Sequence, residues 1–248
     1  MNHPAIKIDR LGFQYPGCEG ICFENFNLEI GAGERFGLFG PNGAGKTTLM
    51  NLMTGLLTYG EGSIRLLGHE IKRHPKSINR IFGFVPQDYS FYPQLSSRDN
   101  LAFYGAWYGL DRKQIKMRTE ELLEVLGLSS VGNRNLQSFS GGMKRRVNLA
   151  IGVMHKPKVL FLDEPTVGVD VQSRHAIIHY LKELNDSGTT LIYSSHQLDE
   201  AAELCTKIAL IDDGKIIAHD RLDDLLQAHE QDGMEGLFLT LTGKRFRD

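Results

Sequence analysis

Short apolar runs that end in polar or glycine residues alternate with segments of helical periodicity over most of the chain. Arg35-Phe36-Gly37-Leu38-Phe39 leads into a glycine-rich turn, and Val159-Leu160-Phe161-Leu162 and Thr190-Leu191-Ile192-Tyr193-Ser194 each end in polar residues. Unbroken apolar runs of this length suit strands buried on both faces, and their alternation with helices predicts βα units and a mainly parallel sheet. Between about Asp88 and Val153 the pattern becomes helical. Asp111 with Gln114 resembles a capping box, Leu122, Val125 and Leu126 follow at helical spacing, and Gly127 is placed to stop the helix. This stretch is expected to form a helical lobe (88–153) inserted into an α/β core (1–87 and 154–226). Further on, Ile177, Leu181 and Leu184 form one apolar stripe closed by Gly188, and Asp213-Gly214 between two apolar runs signals a hairpin. Gln227 to Gly233 is polar and reads as a linker, so 227–248 is expected to be a short tail carrying a last strand, Leu237-Phe238-Leu239-Thr240-Leu241.

Composition narrows the class without adding a function. At 248 residues, 41% hydrophobic and 23% charged, the chain is globular rather than fibrous or disordered. Lys plus Arg number 28 against 30 for Asp plus Glu, a net charge of -2, which argues against a polycation that coats nucleic acid. Three Cys make no disulfide framework and suit a reducing compartment, and a C-x3-C at Cys18 and Cys22 has no second ligand pair for a metal. Met1-Asn2-His3-Pro4 opens no secretory leader and no apolar run approaches the ~20 residues of a membrane span, so the chain is expected to stay outside the lipid.

The candidate chemistry begins at Gly40-Pro41-Asn42-Gly43-Ala44-Gly45-Lys46-Thr47, a complete P-loop pattern between a strand and the helical run that starts at Thr48. Glycines let successive N–H groups turn around phosphate oxygens, and the helix start adds partial positive charge. Lys46 would neutralise the β- and γ-phosphates, and Thr47 would ligate Mg²⁺. The acid pair Asp163-Glu164 closes a buried strand, at the sheet end where ligands bind in open α/β folds. Asp163 is a candidate for holding Mg²⁺, and Glu164 for polarising an attacking water.

With Phe139-Ser140-Gly141-Gly142-Met143 shortly before the acid pair, the chain resembles the ATP-binding-cassette (ABC) ATPases. Phe139 stands where that family's signature usually has Leu, and Met143 where many members have Gln, as in a subgroup of drug, antibiotic and polysaccharide exporters. The resemblance implies a P-loop core with an N-terminal antiparallel β portion. It also implies that Tyr15 stacks on adenine, that Gln87 is the lid glutamine sensing Mg²⁺, that Asp170 crosses a subunit interface, and that His196 contacts the γ-phosphate. Ser140, Gly141 and Gly142 would cap ATP bound by Gly40 to Thr48 of a second copy, in an ATP-dependent dimer. The implied partner is an integral membrane permease on whose cytoplasmic face the chain sits, with export favoured over import. A soluble ABC ATPase acting on DNA or ribosomes is the competing class, and nucleic acid is not expected as a partner. Tyr89, Phe91 and Tyr92 would either touch that permease or belong to the core of the lobe. Lys144-Arg145-Arg146 reads as a solvated helix face.

Overall fold

The structure, a computed structural model, describes residues 3–18, 20–72, 78–198 and 203–243. Among the described residues, ten strands form two sheets. The first is antiparallel, in the order β2-β1-β4-β5, from β1 Ile6–Gln14, β2 Ile21–Ile30, β4 Glu61–Leu66 and β5 His69–Glu70. The second has the order β10-β9-β3-β8-β7-β6, from β3 Arg35–Phe39, β6 Phe82–Val85, β7 Val159–Asp163, β8 Thr190–Ser195, β9 Lys207–Asp212 and β10 Lys215–Arg221. Five of its strands are parallel, and β10 alone joins antiparallel through the Asp213-Gly214 turn, where both residues have positive φ. The α/β class with an antiparallel N-terminal portion is therefore as expected.

The unbroken apolar runs have a direct packing reason. Phe36, Leu38, Phe161 and Ile192 face a core shared with the first sheet and helix α1 (Lys46–Met53). Phe39, Leu160, Leu162, Leu191 and Tyr193 face a second core shared with the helices on the opposite side. Neither face of these strands meets water, so no polar alternation appears. Helices α2 (Ser97–Trp107), α3 (Arg112–Val125) and α4 (Gly141–Gly152) lie between β6 and β7, and α5 (Val171–Asp186) lies between β7 and β8. The Asp111–Gln114 capping box and the Gly127 stop form as read, Gly127 at φ 65°. Buried Arg118 ties α3 to the end of α4 and to α5, donating to the carbonyl of Val153 at 3.1 Å and to Tyr180 Oη at 3.3 Å.

Three expectations fail. Residues 237–241 are not a strand but part of helix α7 (Met234–Thr242), with Gly233 as its N-cap and Gly243 at φ 64° as its stop. Met234, Leu237, Phe238 and Leu241 share the inward face at helical spacing, while Leu239 is 45% exposed. The preceding linker is also shorter than read, because α6 (Leu222–Ala228) runs into it. The basic run on α4 is not a solvated face either. Arg145 is buried, and Arg146 donates to the carbonyls of Leu126 (2.8 Å) and Gly142 (3.4 Å).

Candidate functional site

Strands β3, β6, β7 and β8 end at one edge of the second sheet, and the residues that follow them meet there. In the parallel register Asp163 lies opposite Ser194, and Phe39, the last residue before the P-loop, lies opposite Ser195. The turn out of β3 leaves no room for a side chain at Gly40, where a Cβ would sit 2.1 Å from the carbonyl oxygen of Ile211. Gly45 precedes α1 at φ 104°. Lys46 is 6% exposed and spans the loop, donating from Nζ to the carbonyls of Gly40 (2.7 Å) and Pro41 (3.0 Å). Burial holds its ammonium below the usual lysine range, partly offset by Glu164 and Asp163.

Asp163 is buried and accepts from Ser194 Oγ at 2.5 Å and from Thr47 Oγ1 at 3.4 Å. Burial pushes its carboxyl up, and the two hydroxyl bonds pull it back. Glu164 follows in a left-handed conformation, φ 49°, which costs a non-glycine residue about 1–3 kcal/mol. That turn, held by its own N–H on the carbonyl of Ser194 (3.1 Å), separates the two acids. The Glu164 carboxylate accepts from Gln87 Nε2 at 2.9 Å and lies 2.8 Å from His196 Nδ1. With a carboxylate opposite, Nδ1 carries the hydrogen and Nε2 is left for another partner.

Tyr15 stands at the other side, its hydroxyl 2.9 Å from Thr48 Oγ1 and its ring edge-on to Phe13 at 4.9 Å. A cleft of about 370 Å³ is enclosed here by the P-loop from Asn42 to Thr48, by Tyr15 and Cys22, and by Gln87, Glu164 and His196. An ammonium, a helix start and exposed backbone at Asn42 and Gly43 suit it to a polyphosphate. Thr47, Asp163 and Gln87 offer only oxygen donors toward a cation, the set that suits Mg²⁺.

Ser140, Gly141, Gly142 and Asp170 do not line that cleft. Ser140 caps α4, accepting from the Met143 N–H at 3.3 Å. Asp170 caps α5, accepting from Ser173 N (2.8 Å) and Ser173 Oγ (2.9 Å), bonds that hold its carboxyl below the usual range. A Cβ on Gly142 would meet Ser173 Oγ at 2.3 Å, so these two caps form one compact unit. Phe91 belongs to the core that the second sheet shares with its helices, whereas Tyr89 and Tyr92 are each more than 40% exposed.

The sequence reading assigns no role at this site to Ser194, Cys22, Arg145 or Asn148. Ser194 is findable in principle: β7 and β8 pair in parallel from Val159 opposite Thr190, and that register sets Ser194, one residue before the end of β8, beside Asp163 at the end of β7. Nothing local marks the other three.

A family model described as "ABC transporter" matches residues 23–167. The chain is 42% identical over 202 residues to the linearmycin resistance ATP-binding protein LnrL of Bacillus subtilis, covering 82% of this chain and 65% of the relative. It is 38% identical to the Nod factor export ATP-binding protein I of Cupriavidus metallidurans, covering 84% and 69%. With the daunorubicin resistance ATP-binding protein DrrA3 of Streptomyces coeruleorubidus the figures are 32%, 98% and 80%. The chain thus spans about two thirds of the length of the first two. Among solved structures, an ATP-binding subunit of an ABC transporter superposes with a TM-score of 0.87 at 25% identity, over 96% of this chain and 99% of that one. The Clostridium perfringens cbiO1 structure, part of the ABC transporter complex cbiONQ, gives 0.82 at 25% identity, over 91% of each chain.

Proposed function

We propose that this chain, which belongs to the ABC transporter family, is the subunit that binds and hydrolyses ATP to drive export through a separate membrane protein. The observation that carries the reading is the meeting of Lys46, Thr47 and the Gln87–Glu164–His196 group around one cleft, with Asp163 bonded to Thr47 behind it. The Gly40 to Thr48 loop binds the phosphates, Lys46 turns from the loop carbonyls to the β- and γ-oxygens, and Tyr15 takes the adenine. Glu164 orients the attacking water and accepts its proton, while His196, braced through Nδ1, presents Nε2 to the γ-phosphate. Mg²⁺, held by Thr47, Asp163 and Gln87, would supply charge neutralisation at the phosphates.

Ser140 to Gly142 are a second helix start that the chain's own cleft does not use. They serve ATP bound by a second copy packed head to tail, with Asp170 at the junction. Export as the direction rests on relatives named for linearmycin and daunorubicin resistance and for Nod factor export. No helix among the described residues is long and apolar enough to cross a membrane, which is consistent with a separate permease and a peripheral place on its cytoplasmic face. For that permease the structure offers an apolar groove of about 490 Å³ whose rim includes Leu56 and Trp107, 65% and 77% exposed.

Phosphate release from Mg-ATP by the purified chain tests the reading, with Lys46→Ala and Glu164→Gln as controls. Turnover lost in both, together with an ATP-dependent dimer of Glu164→Gln in equilibrium sedimentation, is the expected result. Turnover that survives Lys46→Ala would overturn it.

A further inference from the structure

The helix that starts at Ser140–Gly142 also holds the loop that carries Gln87. Two side chains on α4, three residues apart, do this. Arg145, 7% exposed, donates from Nη1 to the carbonyl of Gln87 and from Nε to the carbonyl of Val167 at 3.4 Å. Asn148, fully buried, donates to the carbonyl of Pro86 at 3.1 Å and accepts from Ser90 N (3.0 Å) and Ser90 Oγ (2.8 Å). The backbone on both sides of Gln87 is therefore fastened to α4, and the Gln87 side chain reaches on to Glu164.

Burying a guanidinium is costly unless its donors are matched. Here they are matched to two loops, Gln87 and Val167, whose residues both line the cleft. The choice of Arg has a geometric reason: a planar fork reaches two separate carbonyls, whereas an ammonium is a point donor. The outer side of the guanidinium lies 5.0 Å from the ring centre of Tyr89, which is 43% exposed. One side chain thus connects an exposed aromatic, the Gln87 loop and the helix that begins at Ser140.

We propose that Arg145 is a positioning residue for hydrolysis. It fixes the Gln87 amide against Glu164 and ties that contact to the Ser140–Gly142 helix start, with Asn148 as the second anchor. Its own side chain does not line the cleft. The proposal rests on the reading of Gln87 and Glu164 as hydrolytic groups.

Two measurements on the full-length chain test it, with Arg145→Lys as the main variant and Arg145→Ala beside it. In hydrogen exchange of the nucleotide-free protein, Arg145→Lys is expected to speed exchange across residues 87–90 at least tenfold while β7 and α1 keep their protection. In steady-state hydrolysis, Arg145→Lys is expected to lower kcat at least tenfold with KM within twofold. The double variant with Gln87→Ala should then be no slower than Gln87→Ala alone. A residue that only supports the core would instead leave 87–90 no more exposed than the rest, and its loss would multiply with that of Gln87→Ala. Either result overturns the proposal. If Arg145→Ala does not fold, Arg145→Lys decides alone. A wild-type chain without turnover would overturn the hydrolytic reading, while the exchange arm would still judge the fastening of the loop.

Discussion

Tyr15 offers a quantitative test of how the cleft divides its work between base and phosphates. Its ring is propped by Phe13 and its hydroxyl lies 2.9 Å from Thr48 Oγ1, beside the loop proposed for phosphates. Two contributions can be separated. Stacking of a base on an aromatic ring is worth about 1–3 kcal/mol. The hydroxyl bond, worth about 0.5–1.5 kcal/mol, acts only by fixing the ring. At 1.4 kcal/mol per tenfold, Tyr15→Phe should weaken ATP binding by at most about 12-fold. Tyr15→Ala should weaken it by a further factor of about 5–150. Titration calorimetry with ATP and with tripolyphosphate is the assay. Tripolyphosphate has the same phosphate chain and no base, so its affinity for Tyr15→Ala should match the wild type within about twofold. The reasoning is refuted if tripolyphosphate loses as much as ATP, which would make Tyr15 a support for α1. An alanine variant no weaker than the phenylalanine one would refute it equally.

Three further outcomes follow from named contacts. Gly40→Ala places a Cβ 2.1 Å from a strand carbonyl and should cost about 3–5 kcal/mol in denaturant unfolding, whereas Gly43→Ala, at φ 83° with open space around it, should cost only about 1–2 kcal/mol. His155 stacks on Tyr108 at 3.7 Å, and burial lowers its pKa, so its folded form favours the neutral ring. Its contribution is present above the unfolded value, about 6.5, and is lost as the pH falls through that value toward the folded one. His155→Gln should therefore be less stable at pH 7.5 yet lose less Tm between pH 7.5 and 5.5; an equal loss would remove His155 from the acid sensitivity. In α7, Phe238→Ala should cost about 3–5 kcal/mol and Leu239→Ala less than about 0.5. Comparable losses at Leu237 and Leu239, the same-face pair of a strand, would contradict the helix.

Most of the site was legible because its chemistry depends on residue type at fixed spacing. The P-loop, the acid pair and His196 each follow a strand that is apolar for a structural reason, so pattern and chemistry point to the same place. The C-terminal segment was misread for the opposite reason. Leu237-Phe238-Leu239-Thr240-Leu241 alternates well enough for a strand, and only its docking against the second core, with Met234 and Leu237 buried, selects the helix. Periodicity in so short a run cannot decide between the two.

The basic run shows the same limit in a functional setting. Consecutive charges on a helix usually mark a wet face, because burial without partners is prohibitive. The partners of Arg145 are backbone carbonyls of Gln87, 58 residues earlier, and of Val167, 22 residues later. Carbonyls are present at every residue, so they leave no trace in a sequence, and only the fold says which of them converge. The residues legible in this chain are those that meet the ligand with their own side-chain chemistry. Those that meet other backbone become visible only once β6, α4 and β7 are in place. Arg145 and Asn148 are of that second kind: their identity is required by where the Gln87 loop runs, not by anything next to them.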